Sequence, residues 1–458
     1  MSVTNRFNSA TLKAIAVALL VMLMVIPLAQ VRSLIGEREG LQREAQNRIA
    51  AGIGGIQRIG GPVISVPSET LQLMTDENTH KRSELWVEAP ALRLLPKTLS
   101  IDADLKMQVR KKGIYTLPVY VATVQIQGAF DREFLASMSP RDRPADADHP
   151  AMRAHPDRAV LLLPLGELKS LRAVQQMDFG DVKLQPGPGV LAGGQALQMP
   201  IDLNQLLASR LTGSLAFRFL VDISGSEAIR FVPLAAETTA KLRSNWPHPD
   251  FQGAFLPVDS AVDAHGSSAR WSVLALNRPI AQAWDGDGIG EPQLAEASFG
   301  VRLMQPSTVY STNERAVRYG ILFIAITFLG FFGWEHVAKG LRLHSMQYLL
   351  VGLALTVFYL LLIALSEHLG FGPAYACAAS ALVVLIGSYV AGATGRIAAT
   401  LIISLLLAIS YGLLYLILLS EDYALLLGSL LVFGTLATLM LATRKLDWSR
   451  VAAPDGTA

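Results

Sequence analysis

The sequence predicts a membrane protein with six transmembrane α-helices, one N-terminal and five C-terminal, and a large mainly-β external (periplasmic) domain between them. Three observations carry that prediction. The first is composition: the 458 residues are 51% hydrophobic and only 17% charged, where soluble globular domains carry about 25% charge, and mean hydropathy is +0.38. The second is placement, with one apolar run near the N-terminus and an almost unbroken one from Tyr319 to Ala442. The third is the mixed, turn-rich stretch that separates the two runs.

The same totals exclude other classes. High apolar content with a net charge of only +2 is the opposite of a disordered chain. Thirty-nine basic residues nearly balanced by 37 acidic ones leave no nucleic-acid footprint. Cys377 is the single cysteine, so no intrachain disulfide and no cysteine-based zinc or iron–sulfur site can form.

A bilayer core of about 30 Å needs about 20 apolar residues per helix. By that ruler the spans are 12–31, 319–335, 347–366, 373–391, 397–419 and 423–442. Residues 1–11 are a cytoplasmic N-terminus. The first span is broken only by Lys13, and its apolar core exceeds the roughly 7–15 residues of a signal peptide's hydrophobic region. Pro27-Leu28-Ala29 is not a small-x-small cleavage site, so an uncleaved anchor is expected. Short gaps between the last five spans suit antiparallel neighbours, which makes 319–442 a five-helix bundle followed by a cytoplasmic tail at 443–458.

Lysine and arginine in short loops set orientation. Arg6, Lys13, Lys339, Arg342, Arg396, Arg444, Lys445 and Arg450 all fall on one side if the N-terminus is cytoplasmic. The opposite short loops, 367–372 and 420–422, carry Glu367, Glu421 and Asp422 and no lysine or arginine. Both termini are therefore expected in the cytoplasm, with residues 32–318 outside.

Within that external stretch, Leu34, Leu41, Ala45 and Ile49 are spaced for a short amphipathic helix. Strand patterns follow at 56–59, 63–66, 120–127, 215–223, 229–232, 270–276 and 299–303, with Gly60-Gly61-Pro62 as a turn. A sandwich or two related sheets is expected. Residues 139–158 are polar and rich in proline and aspartate, as a solvated loop would be. His149 and His155 lie there with Asp146 and Asp148, but exposed loops of this composition usually bind nothing, and no metal is expected. Asp285, Asp287, Gly290 and Glu296 partly match a calcium loop, yet Ile289 stands where an oxygen ligand is required. A glycine-rich turn is the better account.

Neither a zinc-protease helix motif, nor a nucleophile elbow, nor a phosphate-binding loop occurs. No enzyme activity and no cofactor are expected. Cys377 sits in a span without a histidine beside it, as a packed thiol would. The sharpest local feature is an acidic rim on the external face of the bundle, made by Glu367, His368, Glu421 and Asp422. Charges at the hydrocarbon boundary are costly unless hydrated or paired. The rim is either a small polar site for a cation, a proton or a basic partner, or a set of interface residues obeying the positive-inside bias. Small residues recur at intervals of four, as Ser404, Ala408 and Gly412 in the fifth span and Gly434, Thr438 and Ala442 in the sixth. Such ridges allow close helix packing, on each other or on a partner.

Several strings together are similar to one family. Residues 318–328 with Phe332 and Glu335, then 347–355, 358–362 and Ser366-Glu367-His368, resemble the C-terminal bundle of CreD-like inner-membrane proteins. So do 421–426 and Thr443-Arg444 through Asp447-Trp448. In the external part, Gly60-Gly61-Pro62, Arg110 with Gly113-Ile114-Tyr115, and Trp246 with Pro249, Phe251 and Gly253 fit the same pattern. The resemblance spans nearly the whole chain, with 139–158 as a local insertion. It implies a protein of cell-envelope integrity in the CreBC regulon, associated with colicin tolerance, β-lactam response and stress. Partners are then the lipid bilayer and unknown periplasmic or membrane proteins, with no nucleic acid. A transporter or channel using the acidic rim is the alternative; few buried charges and no repeated helix break argue against it.

Overall fold

The computed structural model describes residues 9–75, 82–139, 142, 144, 150–208, 213–286, 288–303, 308–337, 344–420 and 424–443. It divides into two compact units, Met1–Glu44 with Ser307–Ala458, and Ala45–Pro306.

The first unit is helical. Its long elements are α1 (Ser9–Leu23), α2 (Val25–Ile53, whose last turns belong to the second unit), α3 (Val309–Val337), α4 (Ser345–Leu369), α5 (Phe371–Thr394), α6 (Ile397–Leu419) and α7 (Ala424–Thr443). One N-terminal and five C-terminal apolar helices are thus present, as the hydropathy pattern requires. The step between α1 and α2 at Met24 has a covalent cause. Pro27 has no N–H to give the Leu23 carbonyl, and its ring crowds that carbonyl. Beyond the step the helix continues without a break to Ile53, so the expected amphipathic segment is the end of α2 rather than a separate helix. Likewise α3 begins at Val309, ahead of the expected span start at 319. Tyr310, Asn313, Glu314 and Arg318 are helical but polar, and hydropathy sees only the apolar part.

Helix ends are set by local chemistry. At α4, His344 Nδ1 accepts from the Met346 amide (3.2 Å) and Gln347 Oε1 accepts from the His344 amide (2.8 Å), a reciprocal cap. Gly370, at φ 78°, ends α4 and lets α5 begin at once. Pro373 sits in the first turn of α5, where no intrahelical N–H partner is lost. Gly352 brings helices together: a Cβ there would lie 2.8 Å from Met24 Sδ and 2.9 Å from Phe328 Cζ. In the middle of the bundle Phe358 packs edge-on against Tyr359, Tyr375 and Tyr411, and the Tyr375 hydroxyl donates to the Tyr411 carbonyl (2.6 Å).

The second unit is built from three sheets. The largest has eight strands: β1 (Thr98–Lys112), β2 (Tyr115–Asp131), β3 (Leu171–Phe179), β4 (Val182–Lys183), β5 (Ser214–Ser226), β6 (Glu237–Ser244), β7 (Asp259–Asp263) and β8 (Gly266–Leu274). Their order is β7-β8-β6-β1-β2-β5-β3-β4. β6 and β1 run parallel; the other neighbours are antiparallel. β6 shows why one face is wet. Thr238, Ala240, Leu242 and Ser244 are buried and Glu237, Thr239, Lys241 and Arg243 are exposed, the period-two alternation of a half-covered sheet. The inner face carries an aromatic core in which Trp271, fully buried, meets Phe231, Phe251 and Phe299 at ring separations of 5.7–6.0 Å.

A seven-stranded sheet contains Val63–Thr75, Arg82–Leu94 and Val160–Pro164, and a four-stranded one joins Gln57–Gly60, Ala228–Val232, Phe299–Leu303 and Pro249–Gly253. Every strand expected from the sequence lies in one of the three sheets. The expected strand at 270–276 stops at Leu274, because 275–277 turn into a short 3-10 helix. Part of the expected 139–158 loop is ordered as a strand, Met152–Ala154, paired with Val63–Thr75. Ahead of it the helix Arg132–Met138 is capped by Asp131, whose carboxylate accepts from the amides of Glu133 (3.0 Å) and Phe134 (3.1 Å). The Phe134 amide and Lys97 hold that carboxyl below its usual range.

A buried polar knot fixes where the helical and strand elements of this unit meet. Gln57, 1% exposed, accepts from the Ser170 hydroxyl (2.9 Å), while Ser224 and Ser226 hydroxyls donate to the carbonyls of Ile53 (2.7 Å) and Gly54 (3.0 Å). These bonds satisfy carbonyls that the end of α2 leaves free. Nearby, the Tyr120 hydroxyl donates to the Ala228 carbonyl (2.9 Å), and burial pushes this phenol well above its ordinary value.

Candidate functional site

Glu367 is near the C-terminal end of α4, with its side chain only 11% exposed. The Tyr310 hydroxyl of α3 donates to its Oε1 (3.0 Å), and Arg38 Nη1 of α2 lies 3.9 Å from its Oε2. One residue back, Ser366 is buried and accepts from Asn313 Nδ2 of α3 (2.9 Å), which also donates to the Val309 carbonyl (2.8 Å). A turn along α3, Glu314 accepts from Arg32 of α2 and Arg318 of α3, each at 3.2 Å. His368 is exposed. Glu421 and Asp422 lie outside the described residues. Of the four rim residues named from the sequence, the structure therefore places Glu367 inside a three-helix polar contact and leaves His368 at its edge.

A matching contact exists at the opposite end of the same helices. Glu335, 8% exposed, is ion-paired with Lys13 of α1 and accepts from the Tyr348 hydroxyl of α4 (3.3 Å). Lys13 Nζ also stands 5.9 Å from the centre of the Tyr348 ring, within cation–π range. Each buried carboxylate thus has one cation and one phenol from other helices. An unpaired charge there would be expensive, and a paired, hydrogen-bonded one is tolerated. Sequence reasoning missed Lys13, Arg38, Tyr310 and Glu335 as a set. The signal was present for two of them: charges standing in otherwise apolar runs.

The small-residue ridge of the fifth span lies only partly on a packing face. Ser404 does approach a neighbour, with its Oγ 2.6 Å from where a Cβ of Gly387 would be. Ala408 and Gly412 are exposed, and nothing lies within 4 Å of a Cβ built on Gly412. α6 packs instead through Ile403, Leu407, Tyr411, Leu414 and Leu418. Gly434 is exposed too, while the side chains of Thr438 and Ala442 are outside the description. Among the described residues no group of three or more metal-binding side chains is gathered. His155 faces Glu69 at 3.3 Å, and Asp146, Asp148, His149 and Asp287 lie outside the described residues.

The strand-rich unit carries a site that the sequence did not announce. On the wet face of the eight-stranded sheet is an open groove of about 720 Å³, within the ordinary size range of ligand sites. Thr239, Ser100, Gln127, Arg218 and Asp178 lie opposite one another on five successive strands, β6, β1, β2, β5 and β3, and form its floor. Glu237 and Gln176 flank the row. Gln176 donates to one oxygen of Asp178, and the other oxygen is buried without a hydrogen-bond partner among the described residues. Arg218 is exposed and has no carboxylate partner within 4.0 Å among the described residues. A second groove of about 310 Å³ on the same face is lined by Asp102, Lys241, Arg243, Asp259 and Arg270. Row and grooves together offer donors, acceptors and both signs of charge.

The family model described as "Inner membrane protein CreD" matches residues 9–449. The Inner membrane protein CreD of Escherichia coli (strain K12) is 30% identical over 446 residues, covering 95% of this chain and 92% of that protein. With a helical unit long and apolar enough to cross a bilayer several times, and a match running nearly end to end, the chain belongs to the CreD family of inner membrane proteins.

Proposed function

We propose that the chain is a non-enzymatic protein of cell-envelope integrity, whose strand-rich unit binds a polar partner in the periplasm while the helices anchor it. Both termini lie in the cytoplasm on this account. The observation that supports it is the polar row across five strands, a preformed groove whose Arg218 and Asp178 have bonding capacity to spare. The bundle carboxylates, by contrast, are already engaged by cations and phenols. Response to colicins and β-lactams would then follow from what the groove engages.

The test is complementation in cells lacking the protein. Arg218→Glu with Gln127→Glu should remove tolerance to envelope stress at normal membrane levels and normal thermal midpoint. Full tolerance in that variant would reject the groove. The transporter alternative is tested in proteoliposomes: an ion flux that Glu367→Gln abolishes would replace this proposal.

A further inference from the structure

On the wet face of the eight-stranded sheet three rows of side chains run side by side across the strands. The middle one is the polar row described above. Two residues along each strand lies a row of short side chains. Thr98, Ala129 and Ala216 stand opposite one another there, and the Gly180 amide closes the row by donating to the Ala216 carbonyl (2.8 Å). Two residues the other way, Gln125 and Gln176 both stand opposite Leu220. These two amides reach back into the middle row: Gln125 Nε2 donates to Gln127 Oε1 (2.9 Å), and Gln176 donates to Asp178. Gln127 and Asp178 are thus each held by a neighbour on the side away from the short residues. The Gln127 amide nitrogen has no acceptor among the described residues. Positioned polar groups beside a strip of methyls and bare backbone make a surface that is polar along one edge and apolar along the other.

A sugar ring has the same division. Its carbons present C–H groups on a face, and its hydroxyls, each both donor and acceptor, project from the edge. Adjacent hydroxyls can pair with a carboxamide, a carboxylate or a guanidinium through two hydrogen bonds. The charge of the groove suits a neutral ligand, since Arg218 is offset by Asp178 and Glu237 and a phosphate chain finds no surplus of cations. A peptide strand finds no free edge, because β1, β2 and β5 are paired on both sides. Five strands at about 4.8 Å spacing carry the row over roughly 19 Å, the reach of about four sugars in an extended chain.

We propose, on the reading of this groove as the partner site, that its occupant is a neutral, extended glycan of β-linked sugars. Such linkages keep the chain flat, as a sheet face requires. The ring faces rest on Ala129, Ala216 and Gly180, while Gln127, Arg218 and Asp178 bond the hydroxyls. No exposed aromatic ring lines the groove, so affinity is built from contacts to several sugars at once.

The experiment uses the full-length protein in phospholipid nanodiscs, free of sugar-headed detergent, titrated with chitin oligosaccharides. Binding is read by saturation-transfer NMR and by calorimetry. Affinity should rise from the disaccharide to the tetrasaccharide, level off at the hexasaccharide, and be indifferent to salt. Ala216→Leu, at an exposed position of β5, fills the apolar strip. It should weaken binding at least about tenfold, and Arg218→Gln about fivefold, by obstruction and by lost hydrogen bonds respectively, with thermal midpoints unchanged. No binding of any of these sugars by the wild-type protein, or undiminished binding by Ala216→Leu, would overturn the glycan. If Arg218→Glu with Gln127→Glu still loses stress tolerance in that case, the groove keeps its role with a different ligand. Sugar binding by the wild type together with full tolerance in that double variant would uphold the glycan site and reject its part in envelope stress. Salt-sensitive binding of oligolysine in place of sugar would assign the groove to a cationic ligand and overturn the proposal.

Discussion

In the helical unit Glu335 and Glu367 are 8% and 11% exposed, and each is gripped by a cation and a tyrosine hydroxyl from other helices. In the strand-rich unit Arg218, Lys241 and Arg243 stand on a sheet face open to water. The difference is one of solvent. A charge that shares space with hydrocarbon must bring its own partner, so in the bundle polarity is spent on holding helices together. A charge on a wet sheet is hydrated at no cost and stays available for something else. That contrast is why binding is assigned to the strand-rich unit and cohesion to the bundle's carboxylates.

Substitutions can break or sharpen the contrast. The largest expected effect is in the sheet core, where Trp271→Ala removes a fully buried indole touching three phenylalanines. It should cost about 3–5 kcal/mol, seen as early loss of the strand-rich unit in limited proteolysis. Next comes the buried ion pair. Lys13→Met leaves Glu335 without its cation and should cost about 3 kcal/mol in detergent, whereas adding Glu335→Gln should restore most of it. If the single change is neutral, the carboxylate is not holding the helices. A third pair tests packing: Gly352→Leu should destabilise by about 1–3 kcal/mol because Met24 and Phe328 crowd that site. Gly412→Leu should stay within about 0.5 kcal/mol, since its surroundings are open within the chain. A changed oligomeric state in the second variant would show that the small-residue ridge serves a partner.

The smallest effect concerns pH. Asp131 has its folded pKa depressed by the Phe134 amide and Lys97. Its contribution is therefore present above the unfolded value of about 3.9 and is lost as pH falls through the lower folded value. Asp131→Asn should slightly lower the stability of the strand-rich unit near neutrality, and the difference should vanish at low pH, so that the acid limb of its stability curve is flatter.

How far the sequence alone reached differs between the units for a physical reason. Long apolar runs leave few alternatives, so the helices were legible to within a turn or two. At 309–318 the helix runs through polar residues that hydropathy cannot see, and the helix expected from the spacing at 34–49 proves to be the unbroken continuation of the first span to Ile53. Strands such as β5 and β6 were legible from alternation, but alternation does not say which strand lies beside which. The parallel pairing of β6 with β1, more than a hundred residues apart, is what brings Thr239 to Ser100 and so makes the groove. Glu367 could be found because a lone acid at a span end stands out. Arg218 could not, because exposed charges alternate along almost every half-covered strand.

The central claim is that cohesion resides in Glu367 and partner binding in Arg218. The most direct measurement is thermal midpoint in detergent and survival under envelope stress for Glu367→Ala and Arg218→Glu, side by side. The account expects Glu367→Ala to melt earlier yet keep stress tolerance at normal membrane levels, because Tyr310 and Arg38 lose their acceptor. It expects Arg218→Glu to melt normally and lose tolerance. The reverse result, with Glu367→Ala inactive at unchanged stability and Arg218→Glu fully active, would contradict it.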